Sequence, residues 1–183
     1  MRIIVDAYGG DNAPEAVLRG CRMAADQWKC EIILTGDGEK LRARAAELGV
    51  SLEGMTIAEA PDVFPMEAEP TAIMKQYKDC SMARGLQMLA EGGGEALVSA
   101  GSTGALVVGG TLIVKRIKGV KRPALGQVIP AWARPTLLID VGANADCKPE
   151  YLVQFAQMGE VYMNAIMGGA VSYTHLRAHE TDQ

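Results

Sequence analysis

Short apolar runs alternate along the chain with longer stretches in which apolar residues recur every three or four positions. The first run, residues 2–6, is followed by a glycine-rich turn, a proline suited to a first helical position, and apolar residues at helical spacing through residue 25. Short apolar runs indicate buried strands, and the longer period indicates helices. This repeated succession is typical of βαβ units, so we predict an α/β fold with a largely parallel sheet.

The same pattern predicts the later elements. A long helix is expected from about residue 71 to residue 90, because the glycines at 92–94 form a strong stop. The segment 60–70 contains three prolines and three acidic residues, so we expect a connecting loop there. Further strands are expected at 31–35, 55–58, 96–99, 124–129 and 136–141, and further helices at 39–48, from the turn 100–104 to about 115, and from 149.

The composition excludes several classes of protein. Hydrophobic residues make up 49% of the 183 residues and charged residues 22%, which is ordinary for a globular domain. The formal net charge of -4 gives no overall attraction to nucleic-acid phosphates, so no nucleic-acid partner is expected. The four cysteines lack the spacing of a metal site or disulfide framework, and no signal peptide or membrane span is evident. We expect reduced thiols and a cytoplasmic location.

Three polar, glycine-containing turns directly follow predicted strands, at residues 6–11, 99–104 and 140–144. The carboxyl ends of parallel strands lie at one edge of a sheet, where α/β proteins bind their ligands. The three turns are therefore expected to converge on one site.

The turn at 99–104 has the chemistry of an anion cradle. Its small residues let backbone N–H groups approach an anion, and the helix that follows presents its positive N-terminus. Ser102 and Thr103 add hydroxyl donors. The alternative is a helix cap and tight turn with no ligand.

Known nucleotide and nucleophile motifs are absent from the sequence. There is no G-x-x-x-x-G-K-[ST], no G-x-G-x-x-G between a strand and a helix, and no G-x-S-x-G. The two histidines, His175 and His179, lie in the last nine residues, so a histidine base is not expected. We predict no cofactor and no metal.

Carboxylate, amide and lysine groups remain at the turns. Such groups can position phosphate and stabilise an oxyanion, and phosphate is already anionic near neutral pH. The alternative for Asp6 and Asp140 is a strand-end cap that tethers a neighbouring loop, and Lys148 would then merely face solvent. The set comprises Asp6, Asp11, Asp140, Asn144 and Lys148.

Five motifs at these positions resemble the bacterial phosphate acyltransferases of fatty acid and phospholipid synthesis, in order and spacing, through residue 168. Tyr8 and Ser102 depart from the family's usual methionine and asparagine, and family members are about twice as long. We predict an acyltransferase domain at 1–168, a non-family tail at 169–183, and a chain that is cut short. The motifs are DAYGGDNAP from residue 6, MEAEPTAIMKQYKDCSMARGLQML from 66, ALVSAGSTGAL from 96, RPAL from 122 and IDVGANADCKPEYLVQFAQMG from 139.

The resemblance implies an α/β/α sandwich related to isopropylmalate dehydrogenase and phosphate acetyltransferase. It implies an enzyme that makes acyl phosphate from acyl-[acyl carrier protein] and inorganic phosphate. It further implies a homodimer and peripheral association with the membrane. Acyl carrier proteins are acidic, so the five basic residues within 115–122 form either a docking patch or a solvated helix end.

We therefore hypothesise that bound phosphate attacks the thioester carbonyl of the acyl donor. The alternatives are a phosphate acetyltransferase or decarboxylating dehydrogenase of the same fold, and a catalytically inert fragment. Asp6, Asn144 and Lys148 are the predicted catalytic residues. The predicted phosphate-binding residues are Gly9, Gly10, Asp11, Ser99, Gly101, Ser102, Thr103, Gly104, Asp140 and Gly142.

Overall fold

The structure is a computed structural model that describes residues 1–130, 132 and 135–167. The described residues form two compact units, Met1–Lys115 and a second unit that begins at Arg116. The predicted tail at 169–183, with both histidines, lies outside the described residues, and its boundary at residue 168 stays a prediction. No helix among the described residues combines the length and apolar character needed to cross a membrane.

The first unit is built on a four-stranded parallel sheet with strand order β3-β2-β1-β4. All four strands were predicted from their apolar runs, and each lies within one residue of the expected bounds. The strands are β1 (Arg2–Asp6), β2 (Glu31–Gly36), β3 (Met55–Glu59) and β4 (Ala96–Val98).

Two amphipathic helices cover one face of this sheet, α1 (Glu15–Trp28) and α2 (Gly38–Leu48). Pro14 precedes α1 rather than occupying its first turn, and the Asp37 carboxylate caps α2 by accepting from the Lys40 N–H. Alternate strand residues face these helices, as the two-residue period of a strand requires. The buried core on this face contains Val5, Ala7, Leu18, Cys21, Ile32, Leu34, Leu41 and Ala45.

The opposite face of the sheet carries α3 (Ser81–Ala90) and α4 (Thr103–Gly109), which continues as a π-helical turn, Gly110–Val114. Close packing is visible at Gly85, where an added Cβ would lie 2.7 Å from Leu97 Cδ1. Helices on both faces confirm the predicted α/β sandwich with a parallel sheet. The second core contains Phe64, Ile73, Cys80, Met82, Ala83, Leu86 and Ala105.

The prediction of one long helix from residue 71 to residue 90 is wrong. The segment forms a short 3-10 helix, Pro70–Met74, then turns before α3 begins at Ser81. The break arises because tertiary contacts compete with helical periodicity. Residue 80 forms a parallel bridge with Asp62, and the Cys80 Sγ caps α3 by accepting from the Ala83 N–H at 3.4 Å.

The second unit contains strands β5 (Gly126–Ile129) and β6 (Thr136–Ile139), followed by the helix α5 (Pro149–Met167). The two strands pair antiparallel in a sheet of their own. The expectation that the strand before Asp140 belongs to the parallel sheet is therefore wrong. Only a short connection separates β5 from β6, and strands that follow each other in the sequence commonly pair.

Candidate functional site

The turns after β1 and β4 lie side by side in the first unit. Val5 pairs with Val98 in the parallel register, so the next residue of each strand, Asp6 and Ser99, emerges at the same edge of the sheet. This adjacency is the consequence of parallel pairing that the sequence analysis relied on.

Asp6 is the centre of a buried hydrogen-bond network. Its carboxylate is 2% exposed; Oδ1 accepts from Ser81 Oγ at 2.5 Å, and Oδ2 accepts from Ser99 Oγ at 2.7 Å. The Tyr8 N–H adds a longer bond of 3.3 Å to Oδ1. Asp6 thus ties β1, β4 and α3 together, which is the tethering role expected as the alternative to catalysis.

Two glycines allow the turns to touch. An added Cβ on Gly9 would lie 2.8 Å from the Gly101 nitrogen and 2.7 Å from Asp6 Oδ2, closer than real Cβ contacts come. Gly10 has a φ of +98°, a left-handed conformation that favours glycine, and packs against Ala100. Side chains larger than hydrogen would push the turns apart. Asp11, next along the chain, is exposed.

The turn at 99–104 divides its polar groups between internal and outward roles. Ser99 Oγ accepts from the Gly101 N–H at 3.1 Å, so both groups are engaged within the protein. Ser102 Oγ caps α4 by accepting from the Ala105 N–H at 3.4 Å. Thr103 is exposed, and Gly104 packs against Pro70. Of the residues from Ser102 to Gly104, Thr103 is therefore the exposed one, whereas Ser102 is buried.

The third turn belongs to the second unit and forms its own network around Asp140. Oδ1 accepts from the Leu125 N–H at 2.7 Å and the Ala143 N–H at 3.1 Å, whereas Oδ2 accepts from the Asn144 N–H at 2.8 Å. The Asn144 side-chain amide donates to Asp140 Oδ2 at 3.0 Å and to the Pro123 carbonyl at 2.8 Å. Asp140 and Asn144 therefore fix the loop before β5 to the turn after β6.

These bonds decide the titration of Asp140. Burial by itself raises the pKa of the carboxyl, but the hydrogen bonds from Leu125, Asn144 and Ala143 together hold the pKa below its usual value. Asp140 is therefore charged at neutral pH.

Gly142 and Lys148 lie on the surface of the second unit. Gly142 has a φ of +129° and nothing within 4 Å of an added Cβ. The Lys148 side chain is exposed, while its carbonyl accepts from the Tyr151 N–H at the start of α5. The convergence of this turn with the first two stays a prediction.

The basic run is partly engaged in local contacts. Lys121 forms an ion pair with Glu150, and the Arg122 guanidinium lies 5.9 Å from the centre of the Tyr151 ring. The Lys121 N–H also donates to the Gln154 side chain at 2.9 Å, so this segment is attached to α5. Lys118 is exposed and leaves its charge available to a partner.

Sequence reasoning missed Ser81. Its hydroxyl is 1% exposed and bonds to a carboxylate 75 positions earlier in the chain. The predicted long helix placed Ser81 in a helix interior, where serine has no expected function. Among the described residues, no group of three or more histidine, cysteine, aspartate or glutamate side chains is placed to hold a metal ion.

Comparison with known proteins gives a family match and a fold match. A family model described as "Fatty acid synthesis protein" matches residues 1–175. A putative phosphate acyltransferase of Clostridium perfringens is 45% identical over 168 residues, 91% of this chain and 50% of the relative. A phosphate acyltransferase of Herpetosiphon aurantiacus is 41% identical over 179 residues, 98% of this chain and 49% of the relative. The chain thus spans about half the length of these curated relatives.

Two solved structures share the fold at low sequence identity. A phosphotransacetylase from Streptococcus pyogenes superimposes with a TM-score of 0.72 at 19% identity, covering 92% of this chain and 54% of that chain. A phosphotransacetylase from Staphylococcus aureus gives a TM-score of 0.66 at 20% identity, with the same coverage. These matches confirm the predicted phosphate acetyltransferase-like fold.

Proposed function

The chain belongs to the fatty acid synthesis protein family, and from this premise we propose that it forms part of a phosphate acyltransferase of phospholipid synthesis. The proposed reaction makes acyl phosphate from acyl-[acyl carrier protein] and inorganic phosphate. The observation that carries the proposal is the 45% identity over 168 residues to a relative named as a putative phosphate acyltransferase. The family model's match over residues 1–175 includes all three polar turns.

The geometry of the first unit supports a role in binding phosphate. Gly9 and Gly101 bring two strand-end turns into contact, and the buried Asp6 network holds them there. The exposed hydroxyl of Thr103 and the N–H groups of Ser102, Thr103 and Gly104 are the proposed donors for an anion. We assign Gly9, Gly10 and Gly101 to close approach, and Asp11 to the rim of this site.

The proposed chemistry is direct acyl transfer. A phosphate oxygen, held by the turn at 99–104, attacks the thioester carbonyl carbon. A C–O bond forms, the C–S bond breaks, and the phosphate proton passes to the departing thiolate of the carrier protein. Backbone N–H groups of that turn would stabilise the oxyanion, because fixed donors act strongly where charge develops. Lys148 stays a predicted catalytic residue of the second unit. Asp6 and Asp140 act by orienting the turns.

The proposal includes the partners that the family resemblance implies. These are acyl carrier protein as the acyl donor, a second copy of the protein in a homodimer, and the inner face of the membrane as a site of peripheral association in the cytoplasm. The exposed charge of Lys118 supports an acidic protein partner.

An assay of product formation tests the proposal. The protein is incubated with acyl-[acyl carrier protein] and phosphate, and acyl phosphate is trapped with hydroxylamine as the hydroxamate. We expect phosphate-dependent hydroxamate from this donor, and little from acetyl-CoA. Preference for acetyl-CoA would instead indicate a phosphate acetyltransferase, and reduction of added NAD by an added small hydroxy acid would indicate a dehydrogenase. A thermal melt with and without phosphate tests the inert-fragment alternative, which predicts neither product nor a phosphate-dependent shift.

The substitution Gly101→Val tests the turn. A side chain there would meet Met82 Cε at 2.9 Å and the Gly9 Cα at 3.3 Å, so we expect acyl phosphate formation to be lost. Gly20→Val is the matched control, because an added Cβ at Gly20 meets nothing within 4 Å. Full activity of the Gly101→Val variant would mean that this turn does not form part of the proposed phosphate site.

A further inference from the structure

Ser81 connects α3 to the proposed phosphate turn through a chain of hydrogen bonds. Its hydroxyl donates to Asp6 Oδ1 at 2.5 Å, and the other carboxylate oxygen accepts from Ser99 Oγ at 2.7 Å. Ser99 Oγ in turn accepts from the Gly101 N–H at 3.1 Å. Three bonds thus lead from the first residue of α3 to the backbone of the turn.

The Asp6 carboxylate depends on the donors in this chain. It is 2% exposed, and within residues 1–115 it forms no ion pair with a lysine or arginine. A buried charge without donors is costly, so each hydroxyl contributes to keeping the carboxylate in place. Without Ser81, Oδ1 would retain only the Tyr8 N–H at 3.3 Å.

Ser81 is itself fixed by the backbone. Its N–H donates to the Asp62 carbonyl at 2.9 Å, next to the bridge between Asp62 and Cys80. Its side chain is 1% exposed, so the hydroxyl cannot exchange its partner for solvent. The close contact between Gly9 and Gly101 means that a rotation of Asp6 or Ser99 would displace the turn.

We propose that Ser81 is a positioning residue for phosphate binding, which acts through Asp6 and Ser99 to set the orientation of the turn at 99–104. The inference rests on the proposed function and deepens it. Ser81 does not contact the acyl donor in this scheme, so its effect is specific to phosphate.

The test is Ser81→Ala in the active enzyme, with KM measured separately for phosphate and for acyl-[acyl carrier protein]. We expect the KM for phosphate to rise about tenfold, as for one lost hydrogen bond to a charged group. The KM for the acyl donor should change less than about twofold. An equal rise in both KM values, or an unchanged KM for phosphate, would overturn the proposal.

Thr35→Val is the matched control. Thr35 is fully buried and pairs with Asp6 in the parallel register, but its hydroxyl donates to the Val5 carbonyl at 3.2 Å rather than to the Asp6 carboxylate. We expect this variant to keep both KM values close to those of the unmodified enzyme. If Thr35→Val also raised the KM for phosphate alone, the effect of Ser81→Ala would be explained by the loss of any buried hydroxyl in this sheet.

A double substitution tests whether the residues act in one chain. If Ser81 acts through Ser99, the effects of Ser81→Ala and Ser99→Ala on phosphate KM are less than additive in the double variant. Additive effects would contradict the proposal.

If Ser81→Ala does not fold, the near-isosteric Ser81→Cys takes its place. A folded Ser81→Cys variant with an unchanged KM for phosphate would overturn the inference. Failure of the proposed function can be distinguished from failure of this inference, because in the first case the unmodified enzyme would form no phosphate-dependent product.

Discussion

At the scale of the residue, a buried polar group in this protein either has hydrogen-bond partners or lowers the stability of the folded chain. Asp6 and Asp140 each accept several hydrogen bonds, whereas the Tyr8 hydroxyl is buried without a partner among the described residues. The Tyr8 ring packs against the Gly36 backbone, where an added Cβ would lie 2.7 Å from Cε2. Burial, followed by the nearby Asp37, raises the pKa of Tyr8. This hydroxyl therefore stays neutral and unpaired.

Replacing Tyr8 by phenylalanine should stabilise the protein. Removing a buried, unpaired hydroxyl lifts its desolvation cost while the ring keeps its packing, so we expect the free energy of unfolding to rise by about 1 kcal/mol. Urea denaturation measures the change. Tyr162→Phe is the control, since that side chain is 47% exposed and its hydroxyl can reach water. Destabilisation by Tyr8→Phe would mean that the hydroxyl has a stabilising partner.

At the scale of the element, the ends of strands and helices are decided by specific polar contacts. Helical periodicity continued from residue 71 to residue 90, yet α3 begins only at Ser81, where Cys80 provides the cap and Asp62 the bridge. The turn after β6 likewise depends on Asp140, whose carboxylate accepts bonds from residues on both sides of the hairpin.

The Asp140 turn predicts a defined dependence of stability on pH. Because the folded pKa is lowered, the stabilisation is fully present above the unfolded pKa, about 3.9, and is lost as pH falls through the still lower folded pKa. We expect Asp140→Asn to reduce the free energy of unfolding at neutral pH by about 1 to 3 kcal/mol. The difference from the unmodified chain should narrow below about pH 4.

Equilibrium unfolding of both chains between acidic and neutral pH measures this difference, and carboxyl NMR gives the pKa of Asp140 directly. A difference that stays constant across the acidic range, or a midpoint above the usual value for aspartate, would contradict the assigned hydrogen bonds.

At the scale of the whole molecule, charge distribution bears on the proposed partner. The net charge is -4, so attraction to an acidic carrier protein requires a local basic surface. Lys121 is paired with Glu150 and Arg122 lies over Tyr151, so the charges of those two residues are already engaged in local contacts. Lys118 is an exposed residue of this run, and docking can be tested through it without breaking a described ion pair.

Reversing the charge at Lys118 tests docking. We expect Lys118→Glu to raise the apparent KM for acyl-[acyl carrier protein] several-fold at low salt, and to weaken its dependence on salt, because steering by opposite charge is lost. The KM for phosphate should not change. Lys78→Glu makes the same change of charge at another exposed lysine and should have little effect. Identical kinetics for both variants would favour a solvated helix end.

The sequence by itself determined the strands of the parallel sheet and indicated that the turns containing Asp6 and Ser99 share one edge of it; that β1 and β4 are direct neighbours came from the structure. Apolar runs and glycine turns are local signals, and parallel pairing of neighbouring strands then places their ends together. The five family motifs are likewise a property of the sequence, and the match over residues 1–175 agrees with them.

Tertiary structure alone decided where α3 begins, that β6 pairs antiparallel with β5, and that Ser81 joins the Asp6 network. Each of these depends on contacts between residues distant in sequence, or on a choice between competing pairings. A serine's hydroxyl carries no local signal of the carboxylate it will meet, because the energy of that bond exists only once three elements have packed and excluded water.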